Sequence, residues 1–510
     1  VLKATSIISI IVLVFLIVAT FIALYFYLAR YNKYWQNRGV FCADGALPGV
    51  GHMLSVLCMR TTFAESCYKI YQNNRSRSMV GVYNFMSPSL MVLEPELVKK
   101  VLQTNFTSFH QNVQKADPDL DPLLANHPFV TYGDKWITGR KRLTYAFSSM
   151  RLKILFENVK LVCVMLENYL DKKLSKNGKV ELELKDFCSR YTTQIVAATG
   201  FGIDGYCFDD ENADKSFREI GKQIVEPSMR TAIMVMLRIL VPSLNKFFKV
   251  SIIPKHIDHF FRTLVADLME QRRKDGIPRN DFLHLMAELE QIEGDKIDLE
   301  ILASHALIFF IDGYDTSSTI MSFVGFQLAT HPKVQEKLRK EVMTVLDKYG
   351  GAMTYEGLKE MTYMDQVLNE SQRIIAAGAV LQKECTEECE LRGSDGLICC
   401  VQPGTEILIP VQGLQEDPRY WKNPEVFDPE RFSPENKHNI QKFTFLPFGE
   451  GPRMCVGMRM GLLQIKAGFV AILRKYSLEL SPRTQVPLKM KVNTMLPAPK
   501  GGLWVFFRQL

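Results

Sequence analysis

A chain of 510 residues, 47% of them hydrophobic, is ample for a deep core, and its length leaves open either about two or three average domains or one large helical one. The net charge of +7 is mild, and Lys and Arg are scattered rather than gathered into an arm or a dense block, so no nucleic-acid partner is expected. Eleven cysteines, an odd number at irregular spacing, argue against a secreted disulfide framework and for a reducing compartment.

From Ile7 to Leu28 the run IISIIVLVFLIVATFIALYFYL carries no charge and has the length that a helix needs to cross a bilayer core. It exceeds the apolar core of a cleaved signal peptide and lacks a small-residue cleavage site, which predicts a retained anchor over residues 1–35. Arg30, Lys33 and Arg38 follow the run while Lys3 precedes it, so the positive-inside bias places the rest of the chain in the cytosol. Tyr25, Tyr27, Tyr31, Tyr34 and Trp35 fit an interfacial belt.

Helical periodicity then dominates from about Phe106 to Arg373, and Pro332 stands where it can open a new helix after Thr330-His331. The acidic stretch FDDENADKS, residues 208–216, reads as a surface loop between helices. PGTEILIPV predicts a strand after a Pro-Gly turn, the repeated prolines of EDPRYWKNPEVFDPERFSP forbid regular structure, and a last helix is expected to start near Cys455. With no internal repeat or low-complexity linker, residues 36–510 read as one large domain, mainly α with a small β portion near its end. Cys385/Cys389 and Cys399/Cys400 lack a second Cys/His pair at ligand spacing and are expected to be core or surface thiols rather than a zinc site.

The segment FLPFGEGPRMCVG, residues 445–457, is the chain's strongest chemical signal. A cysteine that opens a helix gains free backbone N–H groups and the positive end of the dipole, both of which favour a metal-binding thiolate. Gly449, Gly451 and Gly457 are expected to let the backbone turn tightly and approach a flat cofactor, Arg453 to bind a carboxylate on it, and Phe448 to shield the sulfur from water.

Taken together, Phe448-x-x-Gly451-x-Arg453-x-Cys455-x-Gly457 resembles the haem-binding loop of the cytochrome P-450 haem-thiolate monooxygenases, and the likeness runs in order over roughly residues 35–510. The resemblance implies the P-450 fold, haem b (iron protoporphyrin IX) as cofactor, Cys455 as the iron ligand, and Phe448, Gly449, Arg453 and Gly457 around the haem. It matches Trp136 and Arg140 of KWITGR to a Trp-x-x-x-Arg contact with the haem propionates, where the residues alone read equally as a core Trp beside a solvated Arg. It likewise assigns Glu370 and Arg373 of NESQR, by themselves an ordinary i, i+3 surface pair, to a buried triad with Arg431 of DPERF. Where family members carry an arginine near a propionate, this chain has Lys383, which neutralises charge without the planar fork.

In ALIFFIDGYDTSS, helical spacing puts His305, Ile308, Phe309, Asp312 and Thr316 near one face, with Gly313 able to loosen the helix. The segment is similar to the family's distal helix, which makes Asp315 and Thr316 the acid–alcohol pair that relays protons to iron-bound oxygen. On the residues alone, a Ser/Thr hydroxyl bonding back to its own helix competes with that role. Asp312 departs from the small residue usual before the helix glycine. In the fatty-acid-hydroxylating branch a Glu there is esterified to a haem methyl, but Asp is one methylene shorter, which favours a non-covalent role.

The implied function is insertion of one atom of O2 into a lipophilic small-molecule substrate. Electrons are expected from an NADPH-cytochrome reductase, with cytochrome b5 as a second donor, because the chain shows no dinucleotide site of its own. Likeness to insect-type microsomal detoxification enzymes places the protein in the endoplasmic reticulum membrane, facing the cytosol. By the same resemblance Phe106, Phe109, Ile308, Phe309, Val380, Leu381 and Met495 line the pocket, and Lys135, Lys141, Arg142, Lys442 and Arg459 face an acidic reductase. The competing readings are a haem-thiolate isomerase or dehydratase, which turns over without reductase, and a non-catalytic membrane haem protein.

Overall fold

A computed structural model describes residues 2–174, 178–211, 213–225, 251–277, 279–294, 296–494 and 496–510. The charge-free run lies within one helix, Leu2–Ala29, whose side chains from Ile11 to Tyr27 are exposed and whose mean hydropathy reaches 2.8. A helix this long and apolar, with nothing covering it, has the form of a membrane anchor. Two short 3-10 turns, Arg30–Lys33 and Gln36–Arg38, follow it. Between them Trp35 turns inward: it is buried, and its Nε1 donates to the carbonyl of Val82 at 3.1 Å. Gly81 makes room for that indole, because a Cβ there would collide with the ring.

Ten strands occur among the described residues: β1 (Met79–Asn84), β2 (Ser87–Val92), β3 (Gln111–Asn112), β4 (Lys179–Glu183), β5 (Leu381–Glu384), β6 (Cys389–Arg392), β7 (Ile398–Val401), β8 (Glu406–Ile409), β9 (Tyr476–Leu480) and β10 (Trp504–Gln509). The chain divides into two units, the first made of residues 1–113, 379–414 and 442–444. Its five-stranded sheet has the order β1-β2-β8-β5-β3, with β2 parallel to β8 and the other pairs antiparallel. The expected strand PGTEILIPV is β8. The hairpin β1–β2, by contrast, lies far ahead of the β portion expected near the chain's end. Its residues are buried almost continuously rather than on alternate positions, so no period-two pattern marks them.

The second unit, residues 114–378, 415–441 and 445–510, is helical around a 32-residue helix, Leu299–Thr330. Asp298 starts that helix by accepting the amides of Glu300 and Ile301, and Pro332 opens the next one, Pro332–Lys348, as expected. The long helix packs against the helix Leu184–Val196, where Thr192 Oγ1 donates to the Tyr314 carbonyl at 2.9 Å. Gly313 does not loosen the long helix, which runs through it unbroken. The glycine instead admits Val196, whose Cγ2 lies 2.8 Å from where a Cβ would sit. β4 interrupts the expected helical region because Lys179-Val180-Glu181-Leu182-Glu183 alternates with period two, and it completes a sheet of order β4-β10-β9.

Glu370 and Arg373, on the helix Thr362–Ile374, have fully buried side chains. Arg373 Nε and Nη2 donate to the two oxygens of Glu370 at 2.8 and 2.9 Å, and Arg431 Nε adds a third bond at 3.2 Å. Arg373 Nη1 also donates to the Gln415 carbonyl, and the Gln415 side chain accepts the amide of Leu446, the entrance to the cysteine segment. The pair is therefore an interior clamp on the proline-rich segment and not a surface ion pair. Removing the carboxylate leaves Arg373 buried without its partner, at a cost of about 3–5 kcal/mol. Glu370→Ala is expected to abolish recovery of folded protein; normal yield with an unchanged urea midpoint would contradict the clamp.

Candidate functional site

The cysteine segment is shaped by two glycines with left-handed backbone, Gly449 at φ 67° and Gly451 at φ 75°. They turn the chain so that the Cys455 amide donates to the Phe448 carbonyl at 2.8 Å. Gly457, at φ −86°, caps the helix Met458–Leu473 and needs no glycine for its backbone; a Cβ there would meet only open space. The expectation of tight turning thus holds for two of the three glycines.

Cys455 lies two residues before the helix cap. The surrounding protein pushes its thiol pKa up, by burial first, while the amides of Gly457 and Met458 and the charge of Arg140 pull it down. Its side chain is nevertheless exposed, and the charge of Asp312, on the long helix, adds to the upward push.

Trp136 and Arg140 stand one turn apart on the helix Gly133–Ala146. Arg140 Nη1 donates to the Met454 carbonyl at 2.6 Å. Arg453 donates to the carbonyls of Pro128 and Thr131, both at 2.8 Å, and its guanidinium lies 4.3 Å from the centre of the Trp136 ring. Burial, with Arg140's charge second, pulls the Arg453 pKa down to about 10. Its buried Nε has no hydrogen-bond partner.

Across from the cysteine, the long helix presents a polar notch. The Asp312 side chain is 59% exposed, although Phe310 and Tyr314 beside it are buried. Thr316 Oγ1 donates to the Asp312 carbonyl. The Asp315 carboxylate turns away and accepts Lys185 Nζ at 2.6 Å, a lysine that also bonds Ser318 and Thr319 at 2.7 Å. Asp315 and Thr316 are therefore neighbours in sequence whose side chains are engaged elsewhere. The carboxylate that shares Thr316's side is Asp312, which His127 Nε2 approaches to 3.4 Å.

Phe309 is not on that face: its ring stacks between Phe147 and Phe282, at 5.7 and 5.3 Å, inside the core. Met495 lies outside the described residues, and Phe106, Phe109, Val380 and Leu381 belong to the first unit. So does Lys383, on β5, where its Nζ donates to Asn112 at 2.7 Å. Among the basic residues expected to face a reductase, Lys135, Lys141 and Arg459 are exposed, whereas Arg142 is paired with Glu293 at 3.4 Å. Sequence reasoning passed over His127 and Lys185, which sit in no motif; only the fold carries them to the long helix.

The profile of the cytochrome P450 family matches residues 44–506. The chain belongs to the cytochrome P450 family. It is 33% identical over 490 residues to probable cytochrome P450 6a13 of Drosophila melanogaster, covering 94% of this chain and 95% of the relative. Cytochrome P450 6j1 of the cockroach Blattella germanica is 32% identical, with 98% of each chain covered, and cytochrome P450 9e2 of the same species is 31% identical over 90% of this chain and 91% of its own. Membership implies haem as cofactor and monooxygenase activity in general.

The residues present fit a haem in this P450. Two half-buried guanidiniums, Arg140 and Arg453, have no carboxylate within ion-pair distance among the described residues, and Arg453 Nε is a buried donor awaiting an acceptor, which a carboxylate-bearing ring supplies. The open face at Gly457 and the exposed Cys455 side chain complete a cradle for a flat group.

One titratable group beside the site makes the P450's stability depend on pH. Burial, then the charges of Arg142 and His127, push His305 down to about 4. The folded state keeps this ring neutral, so the unfolded chain binds the extra proton and stability falls as pH drops from about 6.5 towards 4, by about 3 kcal/mol in full. In urea unfolding at pH 7 and pH 4.5, His305→Leu is expected to remove most of that acid sensitivity; parallel losses in the two proteins would refute it.

Proposed function

We propose that this P450 is a haem-thiolate monooxygenase that converts a lipophilic substrate R–H, O2, two electrons and two protons into R–OH and water. The observation that carries the reading is the placing of Cys455 before a helix N-terminus, flanked by two half-buried guanidiniums and opposite a polar notch in a long apolar helix. When bound, haem with a thiolate ligand supplies the oxygen activation, since the thiolate's electron density favours O–O cleavage.

The chain's own residues supply the rest. Cys455 holds the iron, with the amides of Gly457 and Met458 aimed at its sulfur and Phe448 shielding it. Arg140, Arg453 and Trp136 hold the propionates, and Gly449 and Gly457 shape the cradle; Lys383 remains an additional charge for the cofactor. Thr316 holds a hydroxyl proton on the distal side, and Asp315, held by Lys185 in the conformation described, replenishes it by swinging its carboxylate from that lysine towards Thr316. The contact of Asp312 with His127 supports a non-covalent role for that carboxylate.

Residues 1–35 anchor the protein in the endoplasmic reticulum membrane, and residues 36–510 form the cytosolic catalytic part. Electrons come from an NADPH-cytochrome reductase docked on exposed lysines and arginines such as Lys135 and Arg459, with cytochrome b5 as a second donor. The carbon monoxide difference spectrum of the dithionite-reduced protein tests the iron ligand directly. A thiolate-type Soret band is expected and is lost in Cys455→Ser; an imidazole-type or absent band in well-folded protein would overturn the monooxygenase reading.

A further inference from the structure

Asp312 is a carboxylate facing the space between the long helix and the cysteine segment, and it has no cation of its own. Among the described residues no lysine or arginine lies within ion-pair distance, and Oδ1 has no hydrogen-bond partner. The cations of the site are committed elsewhere: Arg140 to the Met454 carbonyl, Arg453 to those of Pro128 and Thr131, and Lys185 to Asp315. The flanking residues of the helix, Ile308 and Phe310 before it and Tyr314 after it, are buried and apolar or aromatic.

The one group that reaches Asp312 is His127, and its hydrogen bonds define what it contributes. His127 Nδ1 accepts the amide of Phe129 at 2.9 Å, which leaves the ring proton on Nε2, the nitrogen that lies 3.4 Å from Asp312 Oδ2. The imidazole thus lies beside the carboxylate, and while its Nδ1 accepts that amide it carries no positive charge to cancel it. A carboxylate that opens onto the site without a protein cation is complementary to a ligand cation, and a neutral isostere that covers it displaces its water and offers no charge in return.

Building on the monooxygenase reading, we infer that Asp312, beside His127, is a recognition site for a cationic nitrogen on an otherwise lipophilic substrate. The substrate class is an apolar molecule carrying a protonated or quaternary amine, with the nitrogen paired to Asp312.

The test compares two probes on the haem-loaded full-length protein by equilibrium dialysis. One is 4-phenylbutyltrimethylammonium, whose quaternary nitrogen cannot ligate iron; the other is its neutral carbon isostere, with tert-butyl in place of trimethylammonium. The wild type is expected to prefer the cation by about tenfold or more. Asp312→Asn brings the ratio of affinities close to one, and Asp312→Glu restores the preference; comparing ratios between variants cancels partition into lipid. The carbon monoxide spectrum of each preparation reports the thiolate site separately. A wild-type ratio near one, or a ratio unmoved by Asp312→Asn, in protein with a thiolate-type band overturns the cation site alone. Absence of that band in well-folded wild type overturns the underlying reading and this inference with it.

Discussion

Two half-buried guanidiniums at the cysteine segment, with no carboxylate within ion-pair distance among the described residues, are the constraint around which the site is built. Each is costly to desolvate, and the fold meets that cost with backbone carbonyls: Met454 for Arg140, Pro128 and Thr131 for Arg453. Those carbonyls come from the cysteine segment itself and from the loop ahead of the helix Gly133–Ala146. The same charges that suit an anionic cofactor therefore also hold the walls of its cradle in place, and Trp136 under Arg453 adds an aromatic face to the arrangement.

From there the ordering spreads outward through side chains that span elements. Gln464, on the cysteine helix, donates to Ser317 of the long helix at 2.7 Å, and its carbonyl accepts the hydroxyl of Tyr191 at 2.8 Å. Gly468 lets Tyr191 and Met321 approach so closely that a Cβ would lie 2.8 Å from each. Three helices are thereby registered on one another at a buried polar point, which fixes the notch of the long helix relative to the sulfur.

Much of this was legible in the sequence where a local rule had a single reading. The anchor is defined by charge-free length, the start of the helix Pro332–Lys348 by its proline, and the cysteine segment by glycines and an arginine at set spacing. Legibility failed where burial was continuous or where the decisive partner is remote in the chain. The hairpin β1–β2 carries no alternation because both its faces are buried, and the face of Phe309 is decided by Phe147 and Phe282, which periodicity cannot see. Lys185, the residue that holds Asp315, shows the second failure most clearly: it stands 130 residues away in the chain and in no motif.

The turn after the N-terminal helix has a consequence for how the first unit behaves at a bilayer. Trp35, six residues past the helix end at Ala29, is locked into the sheet by Val82 and Gly81, and Leu28 packs so near Gly49 that a Cβ there would sit 2.9 Å from it. The connection is a short stiff joint and not a tether. With the helix seated in lipid, the first unit has little freedom to swivel or to rise from the surface, so encounters with another membrane-bound protein become a lateral search in two dimensions at a nearly constant height and tilt.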